Sequence, residues 1–158
     1  MTIQKITDWA QTDKLTILAV RLALGTGFLS AVVDRFGGWG SYGARQVSWG
    51  DFAHFVVYCG SVNGFLPKLL IAPTAWIATI AEILLGIALV LGFYTRWAAI
   101  LSGLLLGAFA LAMSFSLGIK APLNYSVFTA SAAAFLLANV CRTRESSDRK
   151  SLARTHLD

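Results

Sequence analysis

Charged side chains are scarce in this sequence: Asp, Glu, Lys and Arg make up 13% of its 158 residues, about half of what soluble domains carry. Histidine occurs twice and cysteine twice, and Cys59 and Cys141 form no CxxC pair, which excludes a CxxC redox or metal site. There is no flavin or nicotinamide fingerprint and no pair of histidines across helices of the kind that holds haem. No metal site is expected, and no catalytic residue can be assigned. Alternation of apolar and polar residues, which a membrane barrel needs in segments of about ten, is also missing.

What is present is apolar sequence in long runs. The hydrophobic set accounts for 56% of the residues and the mean hydropathy is +0.66. About 20 apolar residues in a helix cross a hydrocarbon core of about 30 Å, because a helix pairs its own backbone polar groups. Four stretches qualify: 15–33, 72–93, 97–117 and 123–141. The expected fold is therefore all-α, an integral membrane four-helix bundle forming a single domain over residues 1–141. The first run contains Arg21 and lacks a small-x-small cleavage site, so it reads as a retained helix rather than a secretory signal.

Lysine and arginine near helix ends accumulate on the cytoplasmic side. Lys5, Lys14, Arg96, Arg142, Arg144, Arg149, Lys150 and Arg154 fall on one side, and Arg35, Arg45, Lys68 and Lys120 on the other. Eight against four places both termini in the cytoplasm, with loop 34–70 outside and Cys59 and Cys141 on opposite faces of an inner membrane. No disulfide is expected between them. The tail 142–158 is basic and has too little apolar surface to order itself, so it is expected to be flexible or to lie on the membrane surface. The net charge of +5 is mainly this topology signal, and no nucleic-acid partner is implied.

The external loop opens with DRFGGWGSYG, in which four glycines between Gly37 and Gly43 forbid a regular element. After it, Phe52, Phe55, Val56 and Cys59 recur at helical spacing while Asp51, His54 and Tyr58 share another face. That pattern predicts a short amphipathic helix lying at the interface, with Trp39 and Trp49 nearby. His54 and Tyr58, one turn apart, are placed to hydrogen-bond the carbonyls of a quinone while tryptophans pack on its ring. Asn124 and Tyr125 join the same external polar group. The bland alternative is an ordinary solvated histidine at an interface.

Inside the spans two charges stand out. Glu82 lies about 16 Å above the cytoplasmic end of its helix, near the midplane, and Arg21 about 9 Å up the first helix. A central charge costs roughly 2.5–3.5 kcal/mol on insertion scales, so the acid is expected either to be neutral or to have a partner. Arg21 is that expected partner, since a long side chain covers the offset of about 7 Å. Ala75, Ala78, Thr79, Glu82 and Gly86 form one small-residue stripe, which points Glu82 into the bundle. Two readings stay open: a clamp fixing which helices pack, or a site that binds a polar group or relays a proton.

The segment AWIATIAEILLGIALVLGFYTRWAAILSGLLL resembles the DoxX-like membrane proteins, through a pattern that falls here on Glu82, Gly86, Leu89, Gly92, Thr95, Arg96 and Ala98, after a first helix with RLALGTGFLSA from Arg21. The resemblance implies a small integral membrane protein. Some members are the membrane subunit of thiosulfate:quinone oxidoreductase, and others belong to redox-stress complexes. On that basis this chain is expected to be an auxiliary membrane subunit of a quinone-linked oxidoreductase. Quinone would be its only cofactor, a partner subunit would carry the redox group, lipid would surround it, and self-association stays open. The alternatives are a non-enzymatic scaffold or assembly factor, or a small-solute permease.

Overall fold

The computed structural model describes residues 3–155, with side chains described for residues 14–143. Six helices occur in it: α1 Ile3–Arg35, α2 Phe52–Val62, α3 Lys68–Leu91, α4 Thr95–Leu117, α5 Lys120–Asn124 and α6 Val127–Thr155. There is no strand among the described residues. Residues Lys14–Arg35 of α1, together with α3 and α4, are long and apolar enough to cross a membrane. Their outward faces carry large apolar side chains, Leu84, Leu91, Leu104 and Phe115 among them, which suits hydrocarbon and not water.

The fourth apolar stretch is shorter than its sequence suggests. The run from Leu123 is broken: α5 ends at Asn124, and Ser126 sits in the left-handed region at φ +54°, so α6 starts at Val127. Its described apolar part, Val127–Thr143, is about 26 Å long at 1.5 Å per residue. Beyond it α6 runs on through Thr155, over most of the basic tail 142–158 that the sequence suggests is flexible; residues 156–158 lie outside the described residues.

The long helices pack α1 on α3, α3 on α4, α4 on α6 and α6 on α1, through the small residues that the sequence places at four-residue spacing. Where α1 meets α3, a Cβ on Gly25 would stand 2.9 Å from the carbonyl oxygen of Gly86, so only glycine admits this approach. Between α4 and α6, Ser131 donates to the Gly103 carbonyl at 2.8 Å, and the Phe135 ring lies where a Gly103 side chain would be. Phe28, Leu89, Ala98, Ala99, Leu137 and Ala138 form the buried core joining all four helices.

The turn from α3 to α4 is set by Gly92, left-handed at φ +82°, whose N–H reaches the Ala88 carbonyl. Arg21 caps the same end: Nε donates to the Leu89 carbonyl at 2.9 Å and Nη2 to the Val90 carbonyl at 3.2 Å. A cation there satisfies carbonyls that have no partner in the last helical turn.

Helix α2 turns Phe55, Cys59 and Val62 inward. Phe55 and Cys59 pack on Ala75 of α3, with Phe52, Val56 and Ile71 at the margin. Its far end is tied to α4 by a hydrogen bond from the Ser116 hydroxyl to the Val62 carbonyl. At its start, Asp51 accepts from the His54 N–H at 2.9 Å and contacts the His54 ring at 2.8 Å, and these two bonds, the backbone one foremost, hold its carboxyl below the usual aspartate range. A depressed pKa contributes stability that is present above the ordinary value and lost as pH falls through the folded one. Amide exchange across 52–62 should therefore accelerate below about pH 4. Asp51→Asn should keep the cap and abolish that pH dependence, whereas an unchanged profile would show that the carboxylate is not what holds the helix start.

Candidate functional site

Arg35, the last residue of α1, is buried to 3% exposure and Glu82, in the middle of α3, to 2%. Nη2 of Arg35 donates to Glu82 Oε1 at 2.8 Å and lies 2.7 Å from Oε2. Nη1 donates to the Thr79 hydroxyl at 2.8 Å, and that hydroxyl donates onward to the Ala75 carbonyl at 2.8 Å. Phe55 of α2 covers the guanidinium face at 3.7 Å from its ring centroid, with Trp49 at 5.2 Å. A weakly hydrated, planar cation covered by aromatic rings in this way is a role for arginine rather than lysine.

Arg21 is therefore not the partner of Glu82. The helices α1 and α3 run antiparallel, with Arg21 against Leu89 and Val90, and Gly25 against Gly86. In that register Glu82 falls between the two arginines. Side chains on a helix tilt toward its N-terminus. Arg35 thus leans back down α1 toward Glu82, while Arg21 leans away from it. The signal for Arg35 was in the sequence: Gly25, Phe28, Val32 and Arg35 follow one another at three- and four-residue steps, and all four are buried. Its place at the helix end makes it read as an external charge instead.

The neighbouring residue points the other way. Asp34, 6% exposed, accepts the N–H groups of Ser48 at 2.9 Å and Gly50 at 3.3 Å, and so pins the glycine-rich turn onto the end of α1. Residues 34 and 35 therefore fasten the turn and α3 to the same helix end.

The six aromatic and polar residues expected around a quinone do not converge on one point. Trp49 and Tyr58 do meet, with ring centroids 5.7 Å apart, and Trp49 also packs edge-on against Phe55 at 5.1 Å. The Tyr58 hydroxyl is pushed above the usual tyrosine range, first by burial and then by Tyr125 and Cys59. His54 instead stacks on Tyr42 at 3.7 Å and turns Nδ1 to Asp51. Trp39 donates to the Ser30 carbonyl at 3.1 Å. Asn124 is exposed on α5. The described residues hold no group of three or more His, Cys, Asp or Glu that could bind a metal.

Cys59 lies under this cover, 7% exposed. Burial pushes its thiol up to about 11, which the Arg35 charge only partly offsets, and Glu82 adds to the rise. The reactive form of cysteine is the thiolate. Alkylation of Cys59 by a membrane-permeant maleimide at pH 8 should be at least tenfold slower than that of an exposed thiol; equal rates would show that α2 does not stay docked.

The chain is thus a multi-pass helical membrane protein whose α1 and α3 enclose a paired arginine and glutamate beneath an aromatic cover. The family model DoxX matches residues 16–138, and the chain belongs to the DoxX family. No curated protein and no solved structure matches the chain.

Proposed function

We propose that this protein is an auxiliary membrane subunit of a quinone-linked oxidoreductase or redox-stress complex, with a quinone head group held beside Trp49 and Tyr58. The observation that carries this reading is the position of Trp49, whose ring neighbours both Tyr58 and the buried Arg35. A flat aromatic face and a half-buried hydroxyl donor are the groups a quinone ring and carbonyl need. His54 fits that role less well, because its ring stacks on Tyr42 and turns Nδ1 to Asp51. The chain itself offers no redox centre, so electrons come from a partner subunit.

In this reading α6 is the fourth crossing of an inner membrane, with α2 at the external interface and both termini in the cytoplasm. The topology argument sharpens once Arg35 is taken into the protein interior, because eight basic residues then face three, Arg45, Lys68 and Lys120. A scaffold role is favoured by a different observation, the engagement of Arg35 of α1 with Glu82 and Thr79 of α3, which ties the two helices together. The deciding experiment is a thermal-shift titration of the purified chain in mild detergent with decylubiquinone. Stabilisation that falls at least fivefold in apparent affinity in Tyr58→Phe or Trp49→Ala supports the quinone reading; no stabilisation at any concentration leaves the scaffold.

A further inference from the structure

Two buried atoms of the central pair have no hydrogen-bond partner among the described residues: Arg35 Nε and Glu82 Oε2. An arginine commonly meets a carboxylate fork to fork, through two nitrogens. Here Nη1 is engaged by Thr79, and Nη2 alone serves Glu82 with one directed bond, so that Nε is left over and Oε2, although 2.7 Å from Nη2, receives no directed N–H. One orphan is a donor and the other an acceptor. Nε loses its hydration and regains nothing, whereas Oε2 keeps the 2.7 Å ion-pair contact with Nη2 but has a lone pair that receives no directed bond.

The chemistry of a guest that would satisfy them is narrow. The pair is neutral as a whole and enclosed by Phe55 and Trp49, so a charged guest would bring an uncompensated charge into an apolar shell. Phe55 occupies one face of the guanidinium, and the Nε–H points in the plane of the group, so a partner for it approaches in that plane. A carbonyl oxygen can accept from Nε but has nothing to give Oε2. A hydroxyl does both through one atom.

We propose that Arg35 Nε and Glu82 Oε2 together receive the hydroxyl of a neutral phenolic head group, so that the protein binds quinol in preference to quinone. The inference rests on the quinone reading above and adds the redox form to it. Trp49 gives the continuity: its ring neighbours both Tyr58 and the Arg35 guanidinium, so a head group packed on it lies next to the pair. Both orphan atoms are closed to solvent, and admission requires α2 or the turn held by Asp34 to shift. The step is binding only; no bond is made or broken.

The test uses the full chain in detergent, titrated calorimetrically with decylubiquinol, decylubiquinone and the dimethyl ether of decylubiquinol. The expected result is a quinol Kd about tenfold below that of the quinone, the ratio given by one unmet buried hydrogen bond. The ether, a reduced ring without hydroxyls, should bind no better than the quinone. Glu82→Gln offers an amide N–H where the carboxylate oxygen was, and should erase or invert the preference, whereas Tyr58→Phe should weaken both forms alike. The wild-type ratio and the ether decide the matter even if Glu82→Gln does not fold. Equal Kd values for quinol and quinone, the result expected if a water alone bridges the two atoms, overturn this inference and leave the quinone reading intact. Binding of neither form overturns both.

Discussion

Glu82→Ala should be the most damaging single substitution in the protein, lowering stability by about 3–5 kcal/mol. The reason is not the worth of the ion pair, which desolvation largely cancels, but what its loss leaves behind. Arg35 is 3% exposed, with Phe55 against its face, and cannot turn to water without α2 lifting away. A positive charge would remain buried with only the Thr79 hydroxyl to meet it. Unfolding titration in mixed micelles measures the effect. The double change of Arg35→Met with Glu82→Leu should recover most of the loss, because an apolar pair of similar size needs no partner. A single variant that loses less than about 1 kcal/mol, the value of an exposed pair, would show that the charges are not enclosed as described.

Gly50→Ala should be the second. Gly50 is left-handed at φ +68°, and a Cβ there would lie 2.2 Å from the Tyr42 backbone nitrogen and 2.6 Å from the Ser41 carbonyl carbon. The obstacle is backbone, so no rotamer change relieves it. The left-handed conformation costs an alanine about 1–2 kcal/mol, and overpacking commonly adds about 1–3 kcal/mol. The Gly50 N–H would also be pulled from Asp34, releasing the turn from the end of α1. Gly43→Ala is the control: its φ is +86° but nothing lies within 4 Å of its missing side chain, so only the conformational cost applies. Amide exchange over 41–50 should rise strongly in the first variant and little in the second. Equal behaviour would mean the close approach to Tyr42 does not exist in solution.

Much of the fold is legible in residue order because hydrocarbon is a simple solvent. Long apolar runs must be helices, and small residues at four-residue steps mark where helices approach, as Gly25, Gly86 and Gly103 do. Phe52, Phe55, Val56 and Cys59 at helical spacing announce an amphipathic helix, and the glycines after Arg35 announce an irregular turn, whereas the capping role of Asp51 shows only in the structure. The break before α6 is less visible, since Leu123, Tyr125 and Val127 look continuous; a single left-handed residue, Ser126, ends the run, and nothing in its identity demands that conformation.

The candidate site divides along the same line. That Glu82 faces inward follows from sequence alone, because it lies on a small-residue stripe, and at mid-membrane depth a carboxylate must be either neutral or paired. Which arginine serves it does not follow. Arg21 and Arg35 lie on the same face of α1 at similar axial distances from Glu82, and the choice depends on the antiparallel register fixed at Gly25 and Gly86 and on the tilt of side chains toward the helix N-terminus. The aromatic cover is decided in the same way. Trp39, His54 and Trp49 are neighbours in one loop, but only Trp49 joins Tyr58 and Arg35, because Ser30 draws off the first and Tyr42 and Asp51 the second. Solvent preference is a property of each residue and its near neighbours, and sequence carries it. Partner choice depends on how separate helices are set against one another, and only the packed structure determines that.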